Sequence, residues 1–187
     1  MDLASFTGQK VNRKKAITGG LVGLTALVLP GQVRAQAKKQ PKDSFVVLLK
    51  GIYQPVVHGP NLGLSTVDLN DGSYVTVPIY PVQGTPGGKN PNKPIGDFYG
   101  PGGDGVLCAY HIPGGSFAMR FTGGGAGVPV DDGAGGSILE TTWELDVIEG
   151  TGIYKPFVGG HNHMVDRLHF LASGDVDEYC FCFITSP

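Results

Sequence analysis

Two histidines spaced i, i+2 carry the clearest chemical signal in this sequence. His161 and His163 stand in the stretch "GGHNHMV". On a β-strand alternate side chains point to the same side, so both imidazoles would face one way, about 6.6 Å apart at about 3.3 Å per residue. Two imidazoles at that separation can reach one metal ion. A third ligand would have to come from another strand, and the candidates are His58, His111 and Glu144.

The histidine pair lacks the rest of a metal-binding motif. An H-x-H pair resembles cupin metal sites, but the downstream carboxylate and the flanking Gly and Pro spacing of those sites are not met here. Asp166 would face away from His163 on a regular strand. We therefore expect no bound metal and no cofactor, with His161 and His163 near the rim of a barrel as ligand-contacting residues. The alternative is a metal site on these two histidines.

Four other side chains are candidates for catalysis. Glu144 and Asp146 share a strand face and would form an acid/base pair if they line a lumen; the alternative is a solvated outer face. His111 is the lone mid-chain imidazole, and Arg120 could hold a ligand carboxylate. Arg120 could equally pair with a neighbouring acidic residue.

The three cysteines allow one disulfide. Cys180 and Cys182 are two residues apart on one strand, where their Cβ atoms are too distant for a bridge. The pairing left is Cys108 with Cys180 or Cys182. Three buried, reduced thiols are the alternative.

Residues 1–37 have the order of a secretory signal. Arg13, Lys14 and Lys15 precede an apolar run of about 14 residues, shorter than the roughly 20 that a spanning helix needs, and "RAQA" supplies a small-residue cleavage site before Lys38. The segment "NRKK" lacks the second arginine of a twin-arginine signal, so the export route stays open. We expect a secreted or periplasmic protein, with a disordered leader over 38–43 and one domain over 44–187.

Charge and hydropathy restrict the partners. The signal segment carries five of the 14 Lys and Arg residues and one of the 16 Asp and Glu residues, so the rest has a net charge of −6. That balance argues against nucleic acid or an anionic membrane surface, since both need clustered positive charge. No further apolar run is long enough to span a bilayer once the signal is removed. An apolar small molecule is the expected partner, and a homo-oligomer stays open.

Short strands separated by Gly, Pro and Asn-Asp turns dominate the remaining sequence. The predicted strands are 44–53, the two arms of a hairpin over 64–80, 105–112, 115–122, 137–150, 163–171 and 177–185. Two glycine-rich stretches within 84–136 are predicted as loops. About eight antiparallel strands at this spacing predict a sandwich or a closed barrel.

Side-chain alternation predicts which faces are apolar. In 139–147 the odd positions are apolar or Thr, and the even ones include Glu144 and Asp146, which is typical of a strand with one wet face. Phe181 and Phe183 would supply a second lumen-filling face. We expect an apolar cavity that reaches one end of the barrel.

Two stretches resemble the allene oxide cyclase and dirigent superfamily. "LDVIEGTGIYKPFVGG" (145–160) is similar to that family's Gly-(Thr/Ala)-Gly-x-(Tyr/Phe) turn between late strands, and 96–122 to its earlier strand, "PGG" turn and strand. The resemblance implies an all-β, eight-stranded antiparallel barrel with an apolar lumen. Gly150 and Gly152 would supply the φ > 0 positions of a tight hairpin. Tyr154 would either plug the barrel or line its mouth as a ligand-binding residue.

These patterns together predict an exported small-molecule-binding barrel. The resemblance adds a cyclase or isomerase activity on an apolar ligand, which would work by holding that ligand in one conformation. The first alternative is a non-enzymatic secreted binding or carrier protein. The second is a cupin-like metal-dependent oxygenase built on His161 and His163.

Overall fold

A computed structural model of the chain describes residues 43–82, 84–101 and 106–187. These residues form ten β-strands and one short 3-10 helix, Gly152–Phe157. The strands are β1 Ser44–Ile52, β2 Gln54–Pro55, β3 Tyr74–Pro81, β4 Gly96–Pro101, β5 Leu107–Ile112, β6 Gly115–Ala126, β7 Val130–Asp131, β8 Ser137–Gly150, β9 His161–Phe170 and β10 Val176–Thr185.

Eight of these strands close into an antiparallel barrel. The neighbours run in the order β1, β10, β9, β8, β6, β5, β4 and β3. Closure comes from a further antiparallel pairing of β1 with β3, in which Leu48 lies opposite Tyr80. The two-residue strands β2 and β7 add to β3 and β8 outside this circle. The predicted eight-stranded antiparallel barrel is confirmed.

The interior follows from alternation along each strand. In β8, Leu145 and Val147 are buried in the core while Glu144 and Asp146 face out, as the sequence predicts. A set of aromatic rings fills one end of the interior, where Tyr110 stacks on Phe117 with ring centroids 4.8 Å apart. Apolar burial on this scale supplies most of the driving force for folding.

The predicted lumen face of β10 is wrong. Phe183 is 43% exposed, while Cys180, Cys182 and Ile184 are fully buried in the core. Both faces of this strand carry large or apolar residues, so alternation alone does not select the inner one. Its register with β9, in which Cys182 lies opposite Met164, decides the choice.

The connections also differ from prediction. Residues 64–69 form no strand: Leu62, Val67 and Leu69 pack as part of a small apolar cluster against the outside of the barrel. Glu149 holds this segment, because its carboxylate accepts hydrogen bonds from the backbone N–H of Ser65 (2.8 Å) and its neighbour. The predicted hairpin therefore has only its second strand.

Two glycine-containing segments that were not predicted as strands are strands in the structure. Residues 96–101 form β4, which pairs with β3 and β5. Residues 122–126, predicted as loop, continue β6, and Gly124 and Gly125 pair with Trp143 and Thr142 of β8. A close approach explains one of these glycines, since a Cβ at Gly124 would lie 2.4 Å from the carbonyl oxygen of Thr142.

A 3-10 helix, not a tight hairpin turn, joins β8 to β9. Gly152 has the predicted positive φ (+53°), whereas Gly150 is not among the positive-φ glycines of the described residues. Gly150 is needed for space instead: a Cβ there would lie 2.7 Å from the carbonyl oxygen of Tyr154. The helix carries Tyr154 and Phe157 into the core, so it closes this end of the barrel.

The predicted signal segment 1–37 lies outside the described residues, as does the leader except for Asp43. Asp43 is hydrogen-bonded to the segment that follows β10, because the Ser186 N–H donates to the Asp43 carbonyl (3.0 Å). Within the part of the chain that the structure describes, no helix is long and apolar enough to cross a membrane.

Candidate functional site

Three polar side chains converge inside the barrel, toward the end opposite Tyr154. Asp166 of β9 lies directly across from Cys180 of β10, and Glu178 is two residues from Cys180 on the same inward face. One ligand atom from each of the three lies within 4.8 Å of the others. We call Asp166, Glu178 and Cys180 the lumen acid cluster.

The lumen acid cluster is buried, and its hydrogen-bonding capacity is not satisfied. Asp166 and Glu178 are 5% and 2% exposed, and Cys180 is fully buried. Asp166 Oδ1 and Glu178 Oε2 have no hydrogen-bond partner among the residues that the structure describes. A buried polar atom without a partner costs about 1–3 kcal/mol, and more if it is charged. Two such atoms in one place mark a site where a bound group could supply the missing contacts.

Burial changes the protonation of both carboxyl groups. It raises the pKa of Asp166 to about 6, against smaller opposing effects of Trp143 and Thr141. Burial also raises the pKa of Glu178 well above its ordinary value, and the negative charge of Asp166 adds to the rise. Both shifts favour the protonated form of the carboxyl group. Two facing carboxyl groups with raised pKa values are typical of a site that handles protons.

Three side chains lie next to the two carboxyl groups: Thr141, Trp143 and Tyr53. Thr141 donates its hydroxyl hydrogen to Asp166 Oδ2 (3.4 Å). Trp143 lies beside Asp166 and Tyr53 beside Glu178, and each lowers the pKa of its neighbouring carboxyl group. Trp143 and Tyr53 are only partly buried and pack against the core. They therefore form the boundary between the lumen acid cluster and the outside.

A chain of polar contacts runs from this cluster through the barrel. The sulfur atoms of Cys180 and Cys182 are 3.8 Å apart. Tyr110 donates its hydroxyl hydrogen to Cys182 Sγ (3.2 Å) and accepts a hydrogen bond from Asn162 Nδ2 (3.0 Å). Asn162 is fully buried, and its Oδ1 has no partner. The interior is therefore less apolar than the sequence predicts.

The three cysteines are buried free thiols. Neither predicted pairing of Cys108 is formed, and Cys182 Sγ instead accepts a hydrogen bond from Tyr110. Burial raises the pKa of Cys108. The hydrogen bond to Cys182, with burial, raises the pKa of Cys180. Both shifts favour the protonated, unreactive form of Cys108 and Cys180.

The predicted candidates on β8 and β9 form a second cluster, on the outer face. His161 Nε2 is 2.6 Å from Glu144 Oε2, His161 Nδ1 is 3.0 Å from Asp146 Oδ1, and His163 Nδ1 is 2.7 Å from Glu144 Oε1. Strand register explains these contacts, because Glu144 pairs with His163 and Asp146 with His161. We call these four residues the outer-face cluster.

The outer-face cluster is an exposed set of ion pairs. Its side chains are 39–56% exposed. Burial by itself lowers the pKa of His161, but the hydrogen bonds to Asp146 and Glu144 outweigh it and raise the pKa. Glu144 does supply the third potential ligand beside the two histidines. Among the described residues, however, the lumen acid cluster is the one group of three whose ligand atoms all lie within 4.8 Å of one another.

The remaining candidates belong to neither cluster, although Arg120 lies opposite a member of the outer-face cluster. His111 is exposed on β5, with Nδ1 2.8 Å from Ser116 Oγ. Arg120 is exposed on β6, opposite Asp146 in the register. Tyr154 is fully buried, and its hydroxyl donates to the Pro113 carbonyl (2.8 Å). The structure thus places Tyr154 in the closed end of the core rather than at an open mouth.

Asp166 and Glu178 are absent from the sequence-predicted site. The alternation of side chains along the two strands could have identified them. Asp166 lies on the same strand face as Met164, and Glu178 lies on the same face as Cys180 and Cys182. An acidic residue in phase with core residues is unusual, because ionised carboxylates are rarely buried without a partner. The prediction instead placed Phe181 and Phe183 inside, and that choice put Glu178 outside.

No family model, curated protein or solved structure matches this chain. The interpretation of the site therefore rests on its residues and geometry.

Proposed function

We propose that the protein is an exported barrel that binds a small apolar molecule at the lumen acid cluster. The observation that carries this proposal is the pair of unpartnered, buried oxygen atoms, Asp166 Oδ1 and Glu178 Oε2. Small-molecule sites typically combine an apolar wall with a few polar groups that fix orientation. A bound ligand with hydroxyl or carbonyl groups would supply the partners that these atoms lack.

The wall beside the cluster suits a planar, apolar ligand. Phe121 and Trp143 pack edge to face, with ring centroids 5.7 Å apart, and both are only partly buried. Aromatic edges and faces attract other aromatic rings in offset or edge-to-face arrangements. A phenolic compound matches this surface and also carries the hydrogen-bonding group that the carboxyls require.

Entry of the ligand requires a side chain to move. Asp166 and Glu178 are almost fully buried, and aromatic rings occupy the Tyr154 end of the interior. Tyr53 and Trp143, which are partly buried, are the side chains that separate the cluster from the outside. We therefore place the binding site at this end and assign the gating movement to these two residues.

A cyclase or isomerase activity on the bound ligand is part of the proposal. Two carboxyl groups facing one space can act as general acid and general base on opposite sides of a substrate. The resemblance to the allene oxide cyclase and dirigent superfamily supports this assignment, as does the barrel architecture. Export is supported by the sequence of residues 1–37. The carrier alternative differs in one result: a carrier releases its ligand unchanged.

Trp143 is the only tryptophan, so its fluorescence tests the proposal directly. We expect phenolic compounds or fatty acids to quench it saturably. Asp166→Asn and Glu178→Gln should each weaken binding by about tenfold or more, the effect of losing one buried hydrogen bond to a ligand. Asp146→Asn, on the outer face of the same strand as Trp143, is the matched control and should bind like the wild type.

Two outcomes would contradict the proposal. One is the absence of saturable quenching with every compound of both classes. The other is equal affinity in the wild type and both lumen variants, which would place binding elsewhere. Chromatography of the recovered ligand then separates an isomerase, which changes the ligand, from a carrier.

A further inference from the structure

We propose that Asp166, Glu178 and Cys180 bind a divalent transition-metal ion inside the barrel, with zinc the best match. The proposal goes beyond small-molecule binding and does not depend on it. Its basis is the convergence of two carboxylates and one thiol on a single point of the interior. It differs from the metal alternative of the sequence analysis, which concerns His161 and His163 on the outer face.

Strand pairing fixes the convergence. Asp166 and Cys180 are direct partners in the antiparallel register of β9 and β10, and Glu178 follows on the same face of β10. The ligand atoms lie within 4.8 Å of one another. In a tetrahedral zinc site, bonds of about 2.0–2.3 Å place ligand atoms roughly 3.3–3.8 Å apart. Side-chain rotations that bring the three atoms closer by about an ångström would complete the arrangement.

The unpartnered oxygen atoms point to an ion independently of the cluster's composition. Asp166 Oδ1 and Glu178 Oε2 are buried, and no described residue donates a hydrogen bond to either atom. Among the described residues, no Lys or Arg forms an ion pair with either carboxyl group. The ion pairs that these residues do form all join a histidine to an acidic residue outside the lumen acid cluster. Buried charges in proteins are paired or coordinate metals. A cation that displaces the protons of these groups is therefore a partner that fits two adjacent acidic side chains.

The donor set selects the kind of metal. Magnesium and calcium take oxygen ligands, whereas a thiolate favours zinc and related transition metals. Three protein ligands leave one position of a tetrahedral ion open, as in catalytic zinc sites. One neighbour orients a carboxyl group of the site, because Thr141 donates a hydrogen bond to Asp166. Such hydrogen bonds to ligating groups are the usual support of a metal site.

Metal content of the full mature protein tests the inference without any small molecule. We expect elemental analysis, after zinc loading and removal of loose metal by gel filtration, to find about one zinc per chain. Cys180→Ser and Asp166→Asn should each lower occupancy at least tenfold under the same competing chelator, as loss of a ligand implies. Cys108→Ala removes another buried free thiol and is the matched control that should retain zinc.

If a variant does not fold, cobalt binding to the wild-type protein tests whether a cysteine is a metal ligand. Co²⁺ bound to the wild type should show thiolate-to-metal charge-transfer absorption, which only a cysteine ligand produces. A wild type that binds neither zinc nor cobalt, or a cobalt complex without this absorption, would overturn the inference. So would zinc that is lost in His163→Ala but kept in Cys180→Ser, since that places the ion on the outer-face cluster. Ligand quenching of Trp143 in chelator-treated protein tests the proposed function separately.

Discussion

At the scale of single residues, the histidine pair shows how a neighbouring strand changes the meaning of a motif. His161 and His163 do point the same way, as their spacing predicts, but toward solvent and toward the carboxylates of β8. Glu144 contacts both imidazoles. The cluster is therefore a surface network of charges, whose contribution to stability is small and depends on salt.

We expect Glu144→Gln to lower the pKa of His161. The substitution removes a negative charge and weakens a hydrogen bond that favours the protonated imidazole, so the existing upward shift decreases. Titration of the His161 ring proton by NMR measures the change. Glu140→Gln, on the same outer face of β8, is the matched control and should leave the His161 titration unchanged. A pKa of His161 that is equal in all three proteins would show that Glu144 does not act on it.

At the scale of the elements, the connection between β8 and β9 depends on glycine at a close backbone contact. Gly152 has a φ of +53°, and a Cβ there would lie 1.8 Å from the Gly114 carbonyl oxygen in the β5–β6 turn. The Ile153 N–H donates to the same carbonyl (3.1 Å), and the Thr151 N–H donates to Ser116 (2.8 Å). The β5–β6 connection and the β8–β9 connection are thus hydrogen-bonded to each other. The 3-10 helix that carries Tyr154 depends on these bonds.

Gly152→Ala should destabilise the barrel more than Gly133→Ala. Both glycines have positive φ, which costs an L-residue roughly 1–2 kcal/mol. At Gly133 nothing lies within 4 Å of an added Cβ, so only this conformational effect applies. The clash at Gly152 should bring its loss to roughly 3 kcal/mol or more. Urea unfolding measures the free energy of unfolding of both variants. Equal decreases would mean that the backbone near Gly114 moves to accommodate the added Cβ without loss of stability.

At the scale of the whole molecule, the barrel combines a rigid aromatic end with a polar end. Phe45, Phe117 and Tyr154 pack with ring centroids 5.0–6.2 Å apart at one end. The other end holds Asp166 and Glu178, whose burial opposes folding when they are ionised. The close aromatic packing and the buried acidic groups are therefore separated along the barrel axis.

The buried carboxyl groups predict how the stability of the metal-free protein depends on pH. The pKa of Asp166 is about 6 in the folded state, above its value in the unfolded chain. The folded state therefore binds more protons between about pH 4 and pH 6, and this contribution is present below about pH 4 and lost as pH rises through about 6. For Asp166 the loss is about 3 kcal/mol at most.

Comparison with a variant isolates this effect. Asp132 acts in the opposite direction, since its hydrogen bond from His169 lowers its pKa to about 2. We expect the free energy of unfolding of the wild type, minus that of Asp166→Asn, to fall as pH rises from about 4 to about 7 in the presence of a chelator. Urea titrations at several pH values measure it. A difference that is constant with pH would show that Asp166 is not desolvated.

Local patterns in the sequence determine most of the strands and the class of fold. Alternation over 137–150 correctly predicts the inner face of β8, because each of its faces has one chemical character. Glycine and proline positions correctly separate most strands of the all-β barrel, although Gly123, Gly124 and Gly125 lie within β6. Residues 64–69 were predicted wrongly, since their apolar residues pack on the outside of the barrel, a surface that exists only after folding.

Tertiary structure alone decides the candidate site. Strand β10 has apolar or aromatic residues on both faces, so only its register with β1 and β9 turns Cys180 and Glu178 inward and Phe183 outward. A shift of one residue would exchange the two faces completely. Barrel closure then brings Asp166 and Glu178 together with Tyr53 of the segment after β1. Their meeting depends on residues more than a hundred positions apart, and no local pattern carries that information.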